Sequence, residues 1–259
     1  MPDFYHLLGA FGAAFLAGGI NSVAGGGTLV SFPILIALGL DPVTANATNT
    51  AGIWWGAVGS VWGFREELGR IPRFMRWLLI PAALGSIVGA LLLSFTKPET
   101  FGKIVPWLIS FSVVLFMVQA PIQKKLRSAE AAQKGGRSWI GMAILAQLCV
   151  AIYGGYFGAG MSIMMLSILA LIGMTDILEM SAMTSLLSLA INGVAGVLFA
   201  SRGLVVWPYA VAMGVGAIAG GYGAAGIARK IGKVAIRRFV ILVGLTIAAF
   251  MFYRLARGK

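Results

Sequence analysis

The sequence has almost none of the side chains that build metal sites or disulfides. Its 259 residues include one cysteine, Cys149, and one histidine, His6. A single cysteine cannot form an intramolecular disulfide, and no Cys/His spacing typical of a zinc site is present. No phosphate-binding loop or nucleophile motif appears either. The sequence therefore predicts no enzyme activity, no cofactor and no metal.

Acidic side chains are also scarce, with eight Asp and Glu against 20 Lys and Arg and a net charge of +12. All eight lie at the ends of uncharged stretches, so a deeply buried proton-relay carboxylate is absent. Asp41, Asp176 and Glu179 remain the only candidates for proton coupling.

The basic residues cluster between uncharged stretches, at 65–76, 124–137 and 229–238. This distribution is typical of the positive-inside rule and of contact with anionic lipid headgroups. We therefore expect membrane lipids rather than nucleic acid as the partner of these charges.

Long uncharged stretches identify a membrane protein. Hydrophobic residues make up 59% of the chain and charged residues 11%, where a soluble domain carries about a quarter charged. A helix needs roughly 20 apolar residues to cross a bilayer. Two stretches, 4–40 and 138–175, are too long for one crossing at about 1.5 Å per residue, so each must fold into two segments.

A glycine-containing pattern occurs twice, about 134 residues apart. The first copy has glycines at 25–27, Gly39 and a polar run at 48–50; the second has glycines at 158 and 160, Gly173 and hydroxyls at 184–185. Such a repeat is typical of transporters built from two related halves with interrupted helices.

The repeat divides the chain into residues 1–123, a basic cytoplasmic linker at 124–137, and residues 138–259. We predict an all-α integral membrane protein of two inverted repeats, each a glycine-broken helical hairpin followed by three transmembrane helices. Basic-residue totals barely separate inverted from parallel halves; two segments per broken stretch give an odd number of crossings, which favours inversion. The small-xxx-small patterns at 85–89 and 216–220 predict close helix packing.

The glycine breaks are the candidate binding elements. A helix that begins inside the membrane presents unpaired N–H groups and a positive dipole end, which suit an anion. Glycines let the ligand approach the backbone, and hydroxyls follow them. Each glycine break forms the tip of a hairpin, and we expect the two tips to approach each other near the midplane. We expect the second tip to be less open to backbone contact, because Ala159 and Met161 replace glycines. The candidate tip residues are Gly25, Gly26, Gly27, Thr28, Gly158, Gly160 and Ser162.

Polar residues in the span after each tip are further candidates. Interhelical hydrogen bonding is the alternative explanation for such residues. Four are favoured because they match across the repeat and follow the broken element: Thr48, Asn49, Thr184 and Ser185.

These motifs resemble those of the sulfite exporter TauE/SafE family of membrane permeases. The resemblance lies in AGGINSVAGGGT at 17–28, FP at 32–33 and ANATNT at 45–50, then GGYFGAGM at 154–161 and AMTSL at 182–186. It implies a multi-pass transporter in the bacterial inner membrane that moves sulfite or related sulfur compounds and organosulfonates.

Together, the residues and the resemblance predict a secondary transporter, most plausibly an exporter, of a small anion such as sulfite. A cation or metal permease and a membrane scaffold for a partner enzyme are the alternatives. The coupling ion, the direction and the oligomeric state stay open.

Overall fold

The computed structural model describes residues 3–21, 26–129, 137–224 and 233–257. The described residues are 88% helical and contain no strand, which confirms the all-α prediction. The helices are α1 Phe4–Asn21, α2 Thr28–Ala37, α3 Pro42–Gly63, α4 Arg65–Arg70, α5 Leu79–Phe95, α6 Pro98–Ala129, α7 Arg137–Tyr156, α8 Met161–Leu171, α9 Ile177–Ser201, α10 Trp207–Ala219 and α11 Lys233–Ala256.

Several of these elements are long and apolar enough to cross a membrane. Within the described residues there are five such segments: Phe4–Asn21, Arg73–Phe95, Pro98–Val118, Ile177–Ser201 and Ala235–Ala256. The protein is therefore a multi-pass membrane protein.

Each long uncharged stretch folds into two helices, as predicted from its length. Helices α2 and α8 have 10 and 11 residues, so each spans only about 15 Å, half of a bilayer core. Each runs back beside the helix that precedes it. In the first hairpin, Gly27 lies against Ala17, and a Cβ on Gly9 would lie 3.4 Å from Leu38.

The two hairpins end in the same way. Gly39 and Gly173 both have φ of +92°, a left-handed conformation that closes a helix C terminus and favours glycine. The next helix then starts with an aspartate: Asp41 accepts from Val43 N–H, and Asp176 accepts from Leu178 N–H. These exposed caps give Asp41 and Asp176 a local structural role.

The predicted small-xxx-small patterns hold the halves together. Gly85 and Gly89 of α5 lie on the backbone of α7, and a Cβ on Gly89 would overlap the carbonyl of Ile152. In the related pair, Gly216 of α10 and Gly220, directly after α10, lie on the backbone of α1. The third long helix of each half thus packs against the first helix of the other, which agrees with a packing role for these glycines.

The contacts also give the relative directions of the central helices. Ala51 of α3 lies beside Gly196 of α9, whereas Trp54, further along α3, donates from its indole N–H to the carbonyl of Leu189. Because of these contacts, α3 and α9 run in opposite directions. The two helices also occupy equivalent places in the two halves. That relation is the one that inverted repeats require; inversion of the whole halves stays a prediction.

Three elements differ from the simple pattern. Helix α6 continues to Ala129 and α7 starts at Arg137, so much of the predicted 124–137 linker extends a helix. Helix α4 and a 3-10 turn at Arg73–Leu78 have no counterpart in the second half among the described residues. Helix α10 passes into a π-helical turn at Gly220–Ala224, where the predicted span continued as one helix. Glycines that pack on a neighbouring backbone permit this local change.

Candidate functional site

The first tip links α1 to α2. Gly26 has φ of +89°, and the N–H of Gly27 donates to the side-chain oxygen of Asn21 at 2.8 Å. Gly25 lies outside the described residues. Thr28, at 9% exposure, begins α2, which has no side-chain cap. The side chain of Asn21 therefore occupies one of the N–H groups that we expect to face an anion.

The second tip links α7 to α8 and is held by its carbonyl groups. Gly158 and Gly160 have φ of +78° and +79°. The carbonyl of Ala159 accepts from the hydroxyls of Ser112 and Tyr153, at 2.9 and 2.6 Å. Half-buried Ser162 lies in the first turn of α8, which also has no side-chain cap.

The two tips lie close together, as expected. Phe157 of the second tip makes an edge-on contact with Phe32 of α2, with ring centroids 5.4 Å apart. Both tips also rest on one part of α6: Gly26 lies against the ring of Phe116, and a Cβ on Gly160 would lie 3.6 Å from Ser112. Gly26 is half-buried beside Phe116 and Gly160 is buried; that the second tip is less open to backbone contact stays a prediction.

The polar run on α3 connects several elements. Asn46 donates to the carbonyl of Tyr156 at 3.0 Å, and Asn49 accepts from the hydroxyl of Ser31 in the first turn of α2. The hydroxyl of Thr48 accepts from the N–H of Val206 at 3.1 Å. These contacts place Asn49 at the hairpin and Thr48 at the start of α10.

The polar pair on α9 is less engaged. The Ser185 hydroxyl donates to the carbonyl of Ser181 in its own helix. Thr184 is 6% exposed, and its hydroxyl has no partner among the described residues.

The N-terminal caps of α3 and α9 correct the predicted matching of the two halves. Thr48 follows its cap, Asp41, by seven positions, whereas Thr184 follows Asp176 by eight. The residue equivalent to Thr184 is therefore Asn49, not Thr48. The sequence motif alone concealed this because hydroxyls and amides alternate along 46–50.

Five side-chain atoms in the described part of the chain are buried without a hydrogen-bond partner. They are Asn46 Oδ1, Asn49 Nδ2, Thr184 Oγ1, Gln147 Nε2 and Gln147 Oε1. Such atoms are rare in proteins and costly in an apolar interior. Whichever way the Asn49 amide is turned, the single hydroxyl of Ser31 leaves one of its polar atoms unpaired.

Four polar residues near the tips were not predicted from the sequence as candidate site residues. Ser31, Ser112, Gln147 and Tyr153 all contribute polar atoms near the tips or on the helices that carry them. Gln147 offered a signal, as the one amide in the apolar run of α7. Ser31, Ser112 and Tyr153 offered none, because isolated residues of these types are common in membrane helices.

Among the residues that the structure describes, no group of three or more His, Cys, Asp or Glu side chains could hold a metal ion. The site offers neutral amides, hydroxyls and backbone groups.

Comparison with known proteins gives a consistent result. The model of the family described as "Sulfite exporter TauE/SafE" matches residues 10–251. A "Probable membrane transporter protein" of Haemophilus influenzae is 29% identical over 94% of this chain and 93% of its own length. "Probable membrane transporter protein YfcA" of Escherichia coli K12 is 28% identical over 95% and 90%. "Probable membrane transporter protein ORF9" of a Sinorhizobium species is 25% identical over 94% and 92%. No solved structure matches the chain.

Proposed function

Because the chain belongs to the sulfite exporter TauE/SafE family, we propose that it carries a small anion, sulfite or a related sulfur oxyanion or organosulfonate, out across the bacterial inner membrane. That it is a multi-pass membrane transporter and not an enzyme follows from the family and the relatives. The scaffold alternative falls with that membership.

The proposal rests on the unpaired amide of Asn49. Asn49 is 1% exposed and is held by Ser31, which also lies within hydrogen-bond distance of the Gly27 carbonyl at the start of α2. An amide N–H beside the positive end of a buried half-helix is a favourable place for a negative charge in low dielectric.

The other proposed binding residues lie on the two tips or on the helices that follow them. Thr28 and Ser162 lie in the first turns of α2 and α8, and the Thr48 hydroxyl can still donate its own proton while accepting from Val206. The backbone of Gly25–Gly27, Gly158 and Gly160 would line the path, with Thr184 and Ser185 on α9. A site with hydrogen bonds and no full positive charge holds an anion weakly enough to release it.

We extend the proposal to inverted halves with both chain ends in the periplasm. Helices α5 and α7 run in the same direction, because Gly85 faces Leu148 and Gly89 faces Tyr156. Their N termini therefore lie at one end of the bundle, which brings the basic segment at 65–76 and the start of α7 at Arg137 to the same end. The positive-inside rule assigns that end to the cytoplasm. A C-terminal reporter that works only in the cytoplasm should be silent, and an active one would contradict the inversion.

The test of transport is uptake of radiolabelled sulfite into proteoliposomes, with imposed pH and sodium gradients. Asn49→Leu should reduce sulfite flux at least tenfold, because losing a hydrogen bond to a charged ligand costs about 1.5–3 kcal/mol. Thr96→Val is the control, since the Thr96 hydroxyl is exposed and bonds only to its own helix. Parent protein that moves no sulfite under any gradient would refute the proposal.

One observation favours a cation instead. Asn46 Oδ1 is a buried acceptor without a partner, and such an oxygen suits a sodium ion or another hard cation. Flux that depends on sodium and is lost in Asn46→Leu would make the cation a coupling ion. Sodium flux without any anion flux would make it the substrate.

A further inference from the structure

Gln147, in the middle of α7, is fully buried, yet neither atom of its amide has a partner among the described residues. A buried orphan amide costs stability unless something completes its hydrogen bonds. Leu148 meets Gly85 as Phe11 meets Gly216, so the equivalent of Gln147 in the first half is Ala10. The amide is therefore not needed for the packing shared by the two halves.

The helix contacts place Gln147 opposite Thr184. A Cβ on Gly154 of α7 would lie 3.0 Å from Ile191 of α9, so these two residues face each other. Helix α8 runs back along both helices, since Met161 lies at Gly154 and Met165 lies 3.9 Å from Ser188; α7 and α9 thus run in the same direction. Gln147 and Thr184 each precede the facing pair by seven residues, which is two turns or about 10 Å on the same helix face.

Two buried polar side chains on facing helices are thus left unpaired at one depth. A direct hydrogen bond between them would satisfy Thr184 and only one atom of the Gln147 amide. The surrounding cluster is apolar and includes Met165, Met180 and Met183, whose flexible side chains can adapt to a ligand.

We propose that Gln147 and Thr184 form a second binding position for the transported anion, separate from that at Asn49. This inference rests on the proposed anion transport. The amide N–H and the hydroxyl donate to the oxygens of the anion, and Gln147 Oε1 accepts a hydrogen that the anion carries. The position therefore suits a singly charged oxyanion with one O–H group, such as hydrogen sulfite. A fully deprotonated anion would leave Oε1 unpaired.

The two positions lie on opposite sides of the tips. Asn49 belongs to α3 and Thr184 to α9, at equivalent places on helices that run in opposite directions. An anion could therefore move from one position to the other past the tips, with a neutral hydrogen-bonding site on each side.

The test compares sulfite binding by four purified full-length proteins: the parent, Asn49→Leu, Gln147→Leu and the double variant. Each single variant should still bind sulfite at its remaining position, and the double variant should lose binding by tenfold or more. Gln147→Leu should also raise the melting temperature without ligand, because a leucine replaces an unpaired amide. Ser86→Ala is the control: Ser86 donates to the carbonyl of Ile191 at 2.6 Å, so its loss should lower the melting temperature and leave sulfite affinity unchanged.

Complete loss of binding in Asn49→Leu alone, or a double variant no weaker than Asn49→Leu, would overturn the second position. So would a lower melting temperature for Gln147→Leu, since it would mark a helix-packing contact. A parent that binds no sulfite would instead refute the proposed function and this inference with it. Methanesulfinate, which carries a methyl group in place of the O–H, tests the acceptor role: Asn49→Leu should bind it at least tenfold more weakly than sulfite, and equal affinities would contradict that role.

Discussion

The two tips share a glycine framework and differ in the polar groups that hold them. In the first, a side-chain oxygen of Asn21 binds an N–H, and the ring of Phe116 covers Gly26. In the second, hydroxyls of Ser112 and Tyr153 bind a carbonyl. The glycines of the repeat fix where the helices break, whereas residues outside the repeat decide which backbone groups stay available.

The largest difference between the tips should appear when Gly26 and Gly160 are each changed to alanine. Gly26→Ala should abolish folded protein, because the new methyl group overlaps Phe116 and φ of +89° strains any side chain. Gly160→Ala should cost about 1–2 kcal/mol, from backbone strain alone. The measurement is the yield of monodisperse protein by fluorescence-detected size exclusion.

A double variant sharpens that result. Phe116→Ala should partly restore the yield of Gly26→Ala, since it removes the overlap and leaves only the strain. Equal yields for Gly26→Ala with and without Phe116→Ala would contradict the role given to Phe116.

The glycines that join the halves should come next in effect. Gly89→Ala should destabilise the protein by about 1–3 kcal/mol, because its methyl group would meet the backbone of α7. Gly12→Ala is the matched control: a Cβ there meets nothing within 4 Å, so it should be neutral or stabilising. Thermal melts of the two variants test this, and equal shifts would contradict the contact.

The two threonines should separate structural from ligand-binding roles. Thr48→Val should lower stability by about 1 kcal/mol or more, because the N–H of Val206 loses its acceptor. Thr184→Val should leave stability unchanged or raised, since its hydroxyl is unpaired. In the Asn49→Leu background it should weaken sulfite binding at the remaining position roughly 10- to 150-fold. Melting curves and sulfite titrations of both variants measure this. A destabilised Thr184→Val with normal binding would reverse the assignment.

The smallest effect is expected at the second tip. Tyr153→Phe should cost less than about 1 kcal/mol, because Ser112 still donates to the Ala159 carbonyl. Adding Ser112→Ala should cost more than the two single changes together, as the carbonyl is then unpaired. Melting curves of the three variants would show it, and strict additivity would mean that neither hydroxyl compensates for the other.

Much of the fold could be predicted from the sequence because membrane spans are limited by bilayer thickness and glycines mark where helices break. The broken hairpins and the packing glycines at 85–89 and 216–220 followed from these limits. The register between the halves could not be predicted. Thr48 and Asn49 are neighbours, and either could be the equivalent of Thr184 until the caps at Asp41 and Asp176 are known.

The sequence by itself determined that the chain is a multi-pass helical membrane protein, because composition and periodicity act along the chain. Tertiary structure decided which polar groups are paired, since that depends on helices distant in sequence. It places the Thr48 hydroxyl on Val206 and leaves Asn49, Gln147 and Thr184 with unpaired atoms in an apolar interior. In low dielectric an unpaired group is costly, and only the packing of α2, α3, α7, α8 and α9 shows where those groups are.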